Sequence, residues 1–202
     1  LDPAMVVNFP YHILQRISVN LLGVNTLSIK LPSLILGALT IVGIFALVRA
    51  WLKPNVAVIT TTVLATTTQF LFMTQDGTPA IMFNAVAVWL LVAGLYVTRG
   101  RYFHTFWKIL GGVLMAVALY LPLGIYLVLA LVLTAIFHPH IRYIMKRLGK
   151  TKLSLAGILG LVGLAPLIYA IIINPSIALE LAGWPSDLSN TGTNAITTLL
   201  NL

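Results

Sequence analysis

The charges of this chain are sorted. Of its 12 Lys and Arg residues, all but Arg16 and Lys30 lie in segments that close alternate apolar runs. Its 4 acids, Asp2, Asp76, Glu180 and Asp187, all lie on the other side of those runs. A soluble protein has no reason to sort charge in this way. A membrane protein does, because cytoplasmic loops are enriched in Lys and Arg. The pattern predicts an all-α polytopic membrane protein, with about six transmembrane helices and an amphipathic helix on the outer, acid-bearing face.

The runs themselves fit a bilayer, which takes about 20 apolar residues to cross. They read as Leu31 to Val48, Val56 to Met73, Ala80 to Val97, a long stretch from Phe106 to Phe137, and Leu153 to Ile173. As one helix the stretch Phe106 to Phe137 would be about 48 Å long, too long for a core of about 30 Å. Pro122 and Gly124 at its centre predict two short helices with an outer turn. That reading also keeps Arg142, Lys146, Arg147, Lys150 and Lys152 inside. Residues 1–30 form an outer loop, 31–173 the six spans and 174–202 an outer segment. Within the first loop, Ile13, Leu14, Ile17, Leu21 and Leu22 recur at helical spacing, predicting an amphipathic helix over Tyr11 to Val24 along the membrane surface. Trp51, Tyr102, Phe103, Trp107 and Tyr143 mark the inner interface.

Composition excludes several classes. Charged residues make up 8% of the chain, against about 25% in soluble domains. The net charge of +8 sits in short loops between apolar runs, which reads as topology and lipid contact, not nucleic-acid binding. There is no cysteine, hence no disulfide framework and no thiolate. His138 and His140 flank Pro139 without a carboxylate partner, so no metal site is assigned, and no cofactor. The chain starts at Leu1 in an outer polar segment with no basic leader, which points to a piece of a longer membrane protein.

Several residues carry two readings. Thr60, Thr61, Thr62, Thr66, Thr67 and Thr68 suit either a polar cavity or the satisfaction of helix carbonyls and close packing. Gly157, Gly160 and Gly163 suit a groove or close helix packing. Arg16 and Lys30 break the inside bias on the face where a lipid-linked phosphate would be presented. They suit phosphate binding or an ordinary surface role. Asp76, in the turn Gln75 to Pro79, suits catalysis, sugar binding or a turn bonded to its own backbone.

Three pieces in order carry more than composition: Asn8-Phe9-Pro10-Tyr11-His12-Ile13-Leu14, then Leu22-Gly23-Val24, then Ile29-Lys30-Leu31-Pro32-Ser33-Leu34-Ile35-Leu36-Gly37. The set resembles membrane glycosyltransferases of the GT-C class. It is similar to the dolichyl- or polyprenyl-phosphate-mannose protein mannosyltransferases and their bacterial aminoarabinose-transferase relatives. Phe9-Pro10 stands for that family's Pro pair and Lys30 for the Arg of its Arg-Leu-Pro-Ser. Gln75-Asp76-Gly77-Thr78-Pro79-Ala80 stands for its outer turn Arg-x-Gly-x-Pro-Asp, with Gln75 in place of Arg and Ala80 in place of Asp. The resemblance covers about Asn8 to Phe137.

The resemblance implies transfer of a sugar from a polyprenyl-phosphate carrier to a protein, lipid or glycan acceptor, with inversion, on the outer face of the cell membrane. Lys30 and Arg16 would then bind the lipid phosphate. Pro10, Tyr11, His12 and Gln75 would shape the substrate pocket, and Asp76 and Asp2 are the carboxylates at hand. The family's catalytic acid lies just after a first membrane helix that this chain lacks, so activity is expected of the full-length parent, not of these residues alone. Two other classes remain: a transporter or flippase for a lipid-linked or small polar substrate, and a scaffold without activity. No charge lies mid-span, and Pro166 is the one deep proline, which weighs against transport.

Overall fold

The computed structural model describes residues 6–99, 104–137 and 163–183. Every element among them is a helix: α1 (Phe9–Leu22), α2 (Thr26–Trp51), α3 (Pro54–Ala65), α4 (Thr68–Gln75), α5 (Ala80–Arg99), α6 (His104–Ala118), α7 (Gly124–Phe137), α8 (Gly163–Ile173) and α9 (Ser176–Leu181). They fall into two units. One, Asn8–Leu121, holds α1 to α6; the other, Leu1–Val7 with Pro122–Leu202, holds α7 to α9.

Helix α2 organises the first unit: α1, α3, α4 and α5 pack on it, and α6 packs on α5. Its sequence explains why. Ser33, Gly37, Thr40 and Gly43 are buried and follow one helical stripe. Small side chains let neighbouring backbones close in, the packing mode that serves helices in lipid. A Cβ at Gly37 would collide with the Thr74 methyl of α4. One at Gly43 would lie 2.6 Å from Val88 Cγ1 of α5. Trp89 of α5 adds a bond, its indole N–H donating to Leu39 O at 3.1 Å.

By length and composition, α2 and α5 can each cross a bilayer, and α3 with α4 makes a third span if the bent pair is counted as one. Helices α6, α7 and α8 are shorter apolar helices. The chain is therefore an all-helical integral membrane protein with two to three candidate spans among the described residues, short of the expected six.

One run differs from its expected form. Val56 to Met73 reads as a single span, yet helix stops at Ala65 and restarts at Thr68, with a 64° bend. Neither Pro nor Gly is involved. Thr66 and Thr67 instead turn their hydroxyls onto the chain's own carbonyls: Thr66 Oγ1 donates to Val63 O at 2.9 Å, Thr67 Oγ1 to Leu64 O at 2.8 Å. Thr67 is extended, with ψ 136. β-Branched residues that bond locally offer the backbone an alternative to the helix ladder. These two threonines thus satisfy carbonyls, whereas Thr61 Oγ1 is buried without a hydrogen bond among the described residues.

The long stretch after Phe106 does break as expected, leaving helix at Ala118 and resuming at Gly124. In the second unit Leu123 N–H donates to Leu181 O at 2.8 Å. A Cβ at Gly163 would meet nothing within 4 Å. The basic segment 138–152 with His138 and His140, Gly157, Gly160, and the interfacial aromatics Tyr102, Phe103 and Tyr143 lie outside the described residues.

Candidate active site

Helix α1 docks on α2 through its polar seam. Tyr11, Gln15 and Ser18 are spaced to share one face, and Tyr11 and Ser18 are buried. The apolar stripe Ile13, Leu14, Ile17 and Leu21 points away from the protein and is exposed. That orientation suits a helix whose outer surface meets lipid. The start of α1 is fixed by Asn8, whose N–H donates to Tyr120 O at 2.8 Å, with Phe9 and Tyr120 rings 6.1 Å apart.

The seam is built around Pro32. A proline inside a helix has no N–H for the carbonyl four residues back. In α2 that carbonyl belongs to Ser28, and Ser18 Oγ of α1 donates to it at 2.6 Å. One helix thus supplies the donor that its neighbour's proline withholds. Ser28 is itself fixed in a capping box, its N–H donating to Asn25 Oδ1 at 2.8 Å and Asn25 N–H to Ser28 Oγ at 3.1 Å. Gln15 Nε2 approaches Ile29 O at 3.4 Å.

One turn further on, Ser33 and Tyr11 join the 75–79 turn. Tyr11 Oη donates to Gly77 O at 2.7 Å and lies 2.6 Å from Ser33 Oγ. With its own proton committed to Gly77, Tyr11 accepts from Ser33. Ser33 Oγ also lies 3.4 Å from Thr78 O. Burial pushes the Tyr11 hydroxyl above its ordinary pKa, and the Ser33 bond acts in the opposite sense. Gly77 has φ 69, a left-handed conformation that favours glycine. A Cβ there would stand 3.3 Å from Lys30 Cγ and 3.7 Å from Ile29 O, so the turn lies against the stem of Lys30.

Three expected site elements are therefore gathered in one place: Tyr11, Lys30 and the Gln75–Pro79 turn. Lys30 is half-buried, while Gln75 and Asp76 are exposed. Asp76 caps α4 through its backbone, its N–H donating to Phe72 O at 3.0 Å. Among the described residues its carboxylate is held by no hydrogen bond or ion pair, so it is not spent on its own turn. Pro10 opens α1 in its first turn. His12 and Arg16 are exposed one turn apart on α1, with the His12 ring 6.2 Å from Tyr11. No bond among the described residues ties Arg16 to the junction, and Asp2 lies outside them. Ser18, Ser33 and Gly77 were not singled out from sequence as site residues. Their signal was the polar spacing 11, 15, 18, which the apolar stripe beside it overshadows.

An all-helical bundle with two to three candidate spans, in which a base and an acid-bearing turn lie together at one end of α2, defines a class of multi-pass membrane protein. The profile of the dolichyl-phosphate-mannose-protein mannosyltransferase family matches residues 9–169, and the chain belongs to that family of membrane glycosyltransferases. No curated protein and no solved structure matched the chain.

Proposed function

We propose that this protein transfers a sugar from a polyprenyl-phosphate carrier to a protein, lipid or glycan acceptor at the outer face of the cell membrane, at the junction of α1, α2 and the 75–79 turn. The observation that carries this reading is the contact of Gly77 with the Lys30 stem, which sets a half-buried base beside the acid-bearing turn.

The chemistry makes two demands. As the acceptor's hydroxyl oxygen bonds to the anomeric carbon, the bond from that carbon to the phosphate oxygen breaks. Its electron pair leaves with the polyprenyl phosphate, and the configuration inverts. Lys30, assisted by Arg16, stabilises the charge on that phosphate. A carboxylate takes the acceptor's proton. Asp76 is the described candidate, and Asp2 the other carboxylate of the outer segment. Pro10, Tyr11, His12 and Gln75 shape the pocket around the sugar.

The test is sugar transfer by the full-length protein in nanodiscs, from polyprenyl-phosphate mannose to a peptide acceptor. Lys30→Ala should raise the KM for the donor at least tenfold. Unchanged donor kinetics would remove Lys30 from the site, and no transfer under any donor would remove the function.

One observation favours a second reading, transport. The α3–α4 break borders a cavity of about 380 Å³ in which Thr40, Thr67, Gln69 and Asn84 join apolar walls. Interrupted helices of this kind line substrate paths in transporters. Flux of a lipid-linked sugar across proteoliposomes without transfer would select that reading.

A further inference from the structure

The opposite end of α2 borders a second cavity, away from the Lys30 junction. Helices α2 and α5 meet closely where a Cβ at Gly43 would press on Val88 and Trp89. Beyond that contact, towards the end of α2, a cavity of about 440 Å³ opens between them, walled by Val42, Phe45, Ala46, Leu95 and Tyr96. Arg49 is the charged side chain at this cleft, its guanidinium 6.0 Å over the Phe45 ring. The Tyr96 wall is braced from behind by Trp107 of α6, stacked on it at 4.6 Å.

Arg49 has no anion of its own within this unit. The chain has 4 acids, and Asp76 is the one that falls in Asn8–Leu121. Asp76 belongs to the turn that lies against Lys30, nineteen residues back along α2. At 1.5 Å per residue this is about 28 Å away, close to the thickness of a bilayer core. The Lys30 end of α2, with Asp76 beside it, and this Arg are therefore about one bilayer core apart, which suits opposite surfaces of a membrane. What the second surface offers is phosphate on a lipid, and what lies beneath the Arg is an apolar groove along the direction of an acyl chain.

We propose that the α2–α5 cleft binds an anionic phospholipid of the leaflet opposite the Lys30 surface, with its phosphate on Arg49 and an acyl chain against Val42, Ala46 and Leu95. A guanidinium suits the phosphate through its fork of donors. An anionic lipid is selected over a zwitterionic one because the latter brings its own cation to the phosphate.

The test is native mass spectrometry of the full chain released from nanodiscs of mixed phosphatidylglycerol and phosphatidylcholine. The wild type should retain phosphatidylglycerol in preference. Arg49→Gln should lower that retention about fivefold, the worth of one base at a lipid surface. Arg49→Lys should keep most of it. Ala46→Phe, which fills the groove and leaves the base, should lower it as well. Arg49 is exposed, so its replacement leaves the packing intact. Retention unchanged in Arg49→Gln or in Ala46→Phe would overturn the proposal. So would displacement of the lipid by inorganic phosphate, or by polyprenyl phosphate in place of phosphatidylglycerol. The readout involves no sugar donor, so its failure would leave the glycosyl-transfer reading untouched.

Discussion

Pro32 and Ser18 form a pair that can be tested against each other. In the wild type, Ser18→Ala leaves Ser28 O buried without its donor, at a cost of about 1–3 kcal/mol. In a Pro32→Ala background the backbone N–H returns to that carbonyl, and the same Ser18→Ala change should cost less than about 1 kcal/mol. Unfolding in mild detergent reads both steps of the cycle, and equal costs would mean that the proline and the serine act separately. Tyr11 gives a second prediction. Its folded pKa is raised above the ordinary 10.0, so the folded state holds the proton more tightly than the unfolded chain. The associated stability is whole below pH 10 and falls as the pH climbs past it. Tyr11→Phe should remove that alkaline loss while lowering stability at neutral pH by about 1–3 kcal/mol, because Gly77 O loses its donor. Thermal unfolding at neutral and alkaline pH, compared between the two proteins, measures both effects. At this scale the sequence showed Lys30, Tyr11 and Asp76 as residues to watch. It did not show that Ser18 answers Pro32, because that bond joins residues whose partnership depends on how two helices lie.

At the scale of elements, the packing of α2 on α5 is set by glycine. An added methyl at Gly43 would stand 2.6 Å from Val88 Cγ1, so Gly43→Ala should cost about 1–3 kcal/mol through overpacking. At Gly94, on α5, a Cβ would meet nothing within 4 Å, and Gly94→Ala should be neutral or slightly stabilising. Unfolding curves of the two variants in the same detergent separate close packing from helix propensity. The helices themselves were legible from apolar runs and from Pro122 and Gly124. The α3–α4 bend was not, because hydropathy is blind to it: Thr66 and Thr67 sit comfortably in an apolar window, and only their hydroxyl bonds reveal the interruption. Helix α1 was legible as amphipathic, but its polar seam, not its apolar stripe, proved to be the face that docks.

For the whole molecule, charge sorting carries the topology, and the absence of cysteine makes it simple to probe. A cysteine placed at Gln75 should react with an impermeant maleimide on intact cells, and one at Lys53 only after permeabilisation. The reverse pattern would invert the chain and move the proposed site to the cytoplasmic face. Membership of the family was readable from three short pieces in order, because they encode the α1–α2 junction. The number of spans was less readable, since α6, α7 and α8 are each shorter than a simple crossing helix.

Helix α2 runs unbroken between its two ends. Lys30 is packed against the surface turn and Arg49 stands at the opposite cleft, about 28 Å apart along one helix. Acyl-chain length therefore becomes a variable of the proposed site. In a membrane thicker than that distance, hydrophobic mismatch must draw one of the two charges inward or thin the lipid around the helix. If the Arg49 end holds, the Lys30 end sinks, and it takes the 75–79 turn with it. The proposed site would then be shut off by nothing more than the lipid around it.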